Sequence, residues 1–267
     1  MSKIMILAGK DAPAGTKFAD GLADSGRFVA VTKADSENDT DAGQRQQKLL
    51  GKASGVAEIP WNKSSPISAK TLLLTTESIF GKADEAVLYF DEEFYASKAN
   101  SLTIEECAKT ADSLILSFQY LALELLARFE HAFSSNGEKK SLVFLLKDGP
   151  SVSDAAKIPG LRSGTYAIAS PVIAAAAAAF AAFAENLASL YSDSTFVNII
   201  LARGDRSSDI VSSELQLAKW LSDYLDSAEN HKKSGQWVKM GAKITPPPAP
   251  QQTSGFSFFG RRKEKKQ

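Results

Sequence analysis

Gly9 and Gly15 bracket a short stretch, Lys10-Asp11-Ala12-Pro13-Ala14, between the apolar run Ile4-Met5-Ile6-Leu7 and the helically spaced Ala19, Leu22 and Gly26. A strand, a glycine turn and a helix in this order can hold a phosphate. The first helical amides point at the anion, and glycine leaves room for it. Lys33 closes the next apolar run, Phe28 to Thr32. An acidic residue there would grip a ribose hydroxyl, whereas a basic one suits the 2′-phosphate of NADP, so a dinucleotide held by Gly9, Gly15 and Lys33 would be NADP. The plainer reading of Lys33 is a solvated lysine at a strand end. Asp91-Glu92-Glu93 offers carboxylates to a cation, but no further ligands stand at a recognisable spacing, so the run is expected to be a solvated loop. Cys107, His131 and His231 are too few for a thiolate or imidazole metal site, and one cysteine forms no internal disulfide.

The elements that must position these residues alternate. Short apolar runs at Ile4-Leu7, Phe28-Thr32, Val56-Ile59, Ala86-Phe90, Leu142-Leu146, Phe196-Leu201 and Gln236-Met240 are expected to be strands. Between them Thr16-Asp24, Ile67-Ile79, Ile104-Phe133, Pro171-Tyr191 and Ser213-Ser227 carry apolar residues at helical spacing. Thr103-Ile104-Glu105-Glu106 has the form of a capping box. Strands alternating with helices imply an α/β, Rossmann-type, doubly wound parallel sheet of about seven strands with helices on both faces. Pro159 to Ser170, rich in Gly, Pro and Ser, reads as a loop over the C-terminal edge of that sheet, where ligands bind in such folds.

Residues 1–243 are expected to form one domain, 244–255 a linker and 256–267 a tail. Pro246-Pro247-Pro248-Ala249-Pro250 continues neither helix nor sheet, and Gln251 to Gly255 adds nothing that builds a core. The tail joins aromatic Phe256, Phe258 and Phe259 to basic Arg261, Arg262 and Lys263, a pattern suited to docking a protein partner or a membrane surface, and equally to a solvated end. Lys plus Arg equals Asp plus Glu, 31 each, so no global field favours nucleic acid. The first residues show no basic segment followed by a long apolar run and a cleavage site, which with the lone cysteine points to the cytoplasm. Pro171 to Phe183, mostly alanine, is too short to cross a bilayer and is expected to be a closely packed buried helix.

Taken in order, the Gly9 turn, Phe80-Gly81-Lys82-Ala83-Asp84 before a strand, the alanine-rich helix, Val197-Asn198 and Gly235-Gln236-Trp237-Val238-Lys239-Met240-Gly241 resemble the short-chain dehydrogenase/reductase family over roughly residues 3 to 243. The resemblance implies a dinucleotide-binding fold. It also exposes departures. Pro13 stands at the middle glycine of the turn and has no N–H for a phosphate. Leu88-Tyr89-Phe90-Asp91 replaces the family's N-N-A-G, which is expected to narrow or close the cleft. The family's Y-x-x-x-K aligns with Ile173 and Ala177, neither of which donates a proton; its serine falls near Lys147-Asp148 and its structural asparagine near Asp112 or Leu114. A second register keeps Tyr166, with Ser153 thirteen residues upstream, but sets Ser170 where the lysine belongs. Without a nearby cation that phenol stays near a pKa of about 10.

The expectation is therefore a non-catalytic, pseudoenzyme relative that binds no cofactor and acts as a scaffold or regulatory protein, with the tail as docking element. The alternatives are an NADP-dependent oxidoreductase with a rearranged site built on Tyr166 and Ser153, or a nucleotide sensor. A homodimer through helices 104–133 and 171–191, which build a four-helix interface in the resembling family, completes the expectation; its plainer counterpart is a helix pressed against the sheet.

Overall fold

The structure, a computed structural model, describes residues 2–34, 53–97, 103–150, 171–205, 208–227 and 235–244. Seven strands, β1 (Ile4–Ala12), β2 (Phe28–Ala34), β3 (Val56–Trp61), β4 (Glu85–Asp91), β5 (Lys140–Lys147), β6 (Val197–Gly204) and β7 (Trp237–Lys239), form one parallel sheet in the order β3-β2-β1-β4-β5-β6-β7. Each expected strand is present. The order reverses between β1 and β4, and in open α/β sheets the crevice beyond the carboxyl ends at this switch point is where ligands bind.

Alternating side chains split the core into two layers. From β1 and β4, Ile6, Ala8, Ala86, Leu88 and Phe90 face one layer, whereas Met5, Leu7, Val87 and Tyr89 face the other. The first layer is covered by α2 (Pro66–Ile79), α5 (Ser117–Asn136) and α6 (Pro171–Leu190). The second is covered by α1 (Thr16–Asp24) and α8 (Glu214–Asp226). Three shorter helices, α3 (Glu92–Ala96), α4 (Ile104–Thr110) and α7 (Asp209–Ser212), lie beyond the carboxyl ends of β4 and β6 or lead into the long helix α5. The Thr103 hydroxyl accepts from the Glu106 amide at 3.1 Å, as its capping-box form implies. Between α4 and α5, Ala111–Leu116 winds as a π-helix.

Three expectations change in detail. β1 does not stop at Leu7 but continues to Ala12, which pairs with Lys33 after an irregularity. Asp91-Glu92-Glu93 is no solvated loop: Asp91 is 1% exposed, and its carboxylate caps α3 by accepting from the Phe94 amide at 3.1 Å. The alanine-rich helix runs 20 residues, with the length and apolarity of a membrane span, but Ile173, Ala176, Phe180, Ala184, Leu187 and Ala188 are buried within the protein.

Candidate functional site

At the switch point the polar groups come from strand ends. Lys10, in the last part of β1, extends its ammonium to Asp91 at 2.7 Å and to Glu214, the first residue of α8, at 2.5 Å. Lys147 closes β5 in register with Asp91 and reaches the same carboxylate oxygen at 3.2 Å. Both lysines are buried. Burial alone would lower the Lys10 pKa, but Asp91 and Glu214 outweigh it and raise the ammonium above its ordinary value. Burial would likewise raise Asp91, yet Lys10 and Lys147 hold its carboxyl below the usual range. The cluster is thus a locked ionic wall on the β1–β4–β5 side.

The second group of residues is arranged around the Gly9 carbonyl. Gly9 has φ +115°, and a Cβ there would stand 2.2 Å from the Tyr89 carbonyl oxygen, so only glycine is tolerated. Its own carbonyl accepts from the Tyr95 hydroxyl on α3 at 2.5 Å and from the Lys63 ammonium, just beyond β3, at 3.0 Å. Lys63 also pairs with Asp11 at 2.7 Å and lies 5.4 Å from the centroid of the Tyr95 ring. Burial, followed by the charges of Asp11 and Asp91, pushes the Tyr95 phenol well above its ordinary pKa, so it stays protonated. A cavity of about 250 Å³ opens beside these groups, with Asp11, Lys63, Tyr95, Lys109, Leu114 and Ile173 in its wall. The arrangement presents an ammonium and a neutral phenol together at the edge of a small cavity.

Gly15 caps α1 without a side-chain hydrogen bond and the first turn carries no acidic residue, but the Gly15 amide already donates to the Asp11 carbonyl at 3.1 Å. Gly15 itself serves the turn, since a Cβ there would meet the Lys10 carbonyl oxygen at 2.0 Å. Pro13 is exposed rather than wedged into the turn, to which it lends its carbonyl as acceptor for Thr16 at 3.3 Å. Lys33 is partly buried, in register with Ala12 on one side and Pro60 on the other.

Of the residues singled out in the sequence, Gly9, Gly15 and Lys33 converge on this edge. Tyr89 and Phe90, expected to narrow the cleft, are fully buried, one in each core layer, and the Tyr89 hydroxyl stands 3.5 Å from Glu214. Tyr166 and Ser153, the loop Pro159 to Ser170, and the tail residues Phe256, Phe258, Phe259, Arg261, Arg262 and Lys263 lie outside the described residues. Sequence reasoning missed Lys10, Lys63 and Tyr95. The signal available was charge where strands end: Lys10, Asp91 and Lys147 all close apolar runs of neighbouring strands.

No protein-family model and no curated protein matches the chain. Solved structures do. A short chain dehydrogenase from Mycobacterium avium superposes with a TM-score of 0.62 at 15% identity, covering 98% of this chain and 90% of that one. NADH-dependent reductase A1-R′ complexed with NAD gives 0.60 at 14% identity, over 92% and 98%. L-Sorbose reductase from Gluconobacter frateurii, complexed with NADPH and L-sorbose, gives 0.57 at 15% identity, over 91% and 97%. At such identity the likeness is one of fold, and it extends over nearly the whole of both chains.

These findings correct two expectations. The reading against an enzyme rested on Ile173 and Ala177, yet A1-R′ and L-sorbose reductase, which share this fold, are reductases, and here a lysine and a tyrosine meet on other elements. The reading against a cofactor rested on Pro13 and Asp91. Neighbours of this fold are solved with NAD or NADPH, and in this chain Pro13 is exposed while Asp91 is engaged by lysines.

Proposed function

We propose that this protein is a nicotinamide-dinucleotide-dependent oxidoreductase acting on a small carbonyl compound, with its proton-donating groups moved off the alanine-rich helix. The observation that carries this reading is the meeting of Lys63 and Tyr95 at the Gly9 carbonyl, on the wall of a cavity that also includes Ile173. The N-terminus of α1 would hold the pyrophosphate, and Lys33 would favour the 2′-phosphate of NADP. A bound reduced nicotinamide supplies hydride. The chain's own residues supply the rest. The Lys63 ammonium, 14% exposed, would exchange one of its present partners for the substrate carbonyl oxygen, stabilise the charge that develops there and pass a proton to the alkoxide that hydride addition forms. Tyr95, kept neutral, fixes the Gly9 carbonyl that orients Lys63. Asp11 pairs with the same ammonium at 2.7 Å. Lys10, Asp91 and Lys147 form the rigid wall behind these groups.

The test is a titration with NADPH and NADH, read by reduced-cofactor fluorescence, followed by a carbonyl-substrate screen. Saturable binding at micromolar cofactor is expected, tighter for NADPH, and Lys33→Glu should reverse that preference. In the screen Lys63→Met should lower turnover by roughly 10²-fold or more while leaving cofactor affinity nearly unchanged. Absence of saturation at millimolar concentrations of either cofactor would remove the proposal.

We also propose a homodimer through α5 and α6. Ala174, Ala175, Ala178 and Ala182 form an exposed face of small side chains on α6, and Leu123 on α5 is 54% exposed. Small residues permit close helix approach, which supports this reading.

A further inference from the structure

We propose that a second cavity, at the opposite edge of the sheet, binds a small amphipathic carboxylate with an apolar body about the size of one aromatic ring. It lies between α2 and α5, near the N-terminal end of β4, with a volume of about 180 Å³. Ile6, Leu73, Leu125 and Phe129 form its floor. All four belong to the buried core or are in contact with it. A cavity of about 150 Å³ walled by such side chains is large enough to take benzene. The size and lining thus match one ring or a short alkyl chain.

The rim sets the charge of the occupant. Lys82, Arg128 and His131 stand there with one carboxylate, Glu77. Arg128 is already committed: its guanidinium contacts both Glu77 oxygens at 3.1 Å and Glu124 at 3.2 Å. Lys82 and His131 are not. Among the described residues neither side chain has an ion-pair or hydrogen-bond partner. An apolar pocket whose open side offers an uncommitted ammonium and an imidazole N–H is complementary to a molecule with a hydrophobic body and one anionic end. Inorganic phosphate would leave the floor unfilled, and a neutral hydrocarbon would leave the rim unpaired. The cavity is separate from the Lys63–Tyr95 site, so this inference does not depend on the proposed oxidoreductase activity.

Benzoate, benzyl alcohol and inorganic phosphate, titrated into the full chain and followed by amide chemical shifts, test it. Benzoate is expected to saturate with a Kd of about 1 mM or tighter, with shifts at Ala83 and Ala132, and to bind more tightly than either of the other probes. Lys82→Glu with His131→Gln, both at exposed positions, should weaken benzoate by roughly three- to tenfold, the scale of two exposed charge contacts. Four results would overturn the proposal: no saturation by benzoate, equal affinity for benzyl alcohol or phosphate, unchanged affinity in the double variant, or shifts confined to the Lys10–Asp91 edge.

Discussion

Asp91 pairs with two buried lysines, Lys10 and Lys147. Removing one member of a buried ion pair leaves an uncompensated charge and costs about 3–5 kcal/mol. Asp91→Asn should lower stability by that order, read as a fall in the urea midpoint. The pH dependence follows from the shift directions. Asp91 titrates below its ordinary 3.8, so its contribution is complete above that value and is lost as pH falls through the folded pKa. Lys10 titrates above its ordinary 10.5, so its contribution is complete below that value and is lost as pH rises through the folded pKa. Acid unfolding curves of Asp91→Asn should therefore be shallower than those of the parent chain. Gly9→Ala is expected to cost at least about 1–3 kcal/mol from its backbone conformation, with the Tyr89 carbonyl clash in addition. Gly9 was legible in the sequence as a turn glycine. Its partners were not, since single lysines at strand ends look solvated until the register brings Lys147 opposite Asp91.

At the scale of elements, apolar runs and helical spacing located every strand and every long helix, because burial on both faces of a parallel sheet writes itself as short, continuous hydrophobic segments. Two features were hidden for physical reasons. Gly9 to Ala12 reads as a turn, since glycine, lysine and aspartate are poor strand formers, and only pairing with Lys33 on β2 keeps the segment extended. The π-helix at Ala111–Leu116 keeps the same residue types on a helix while shifting the register by one residue, which periodicity does not reveal. That shift matters, because Leu114 reaches the cavity wall from it. The cap before it gives a clean test: Thr103→Ala should cost about 1 kcal/mol, detectable as a lower thermal midpoint with the far-ultraviolet spectrum otherwise unchanged.

For the whole molecule, the exposed alanine face of α6 predicts association. Light scattering should report a dimer at micromolar concentration, and Ala178→Glu, which sets a charge in the middle of that face, should give a monomer of unaltered fold. A monomeric parent chain would dismiss the interface. The sheet order has a further consequence for synthesis. β1 is an interior strand, yet one of its two neighbours, β4, begins about fifty residues after β2 ends. At a translation rate of roughly 5–20 residues per second, the nascent chain must carry an open hydrophobic edge for several seconds before β4 is available to cover it. A ribosome-bound intermediate truncated between these two strands should therefore recruit chaperones, and one extended past Asp91 should release them.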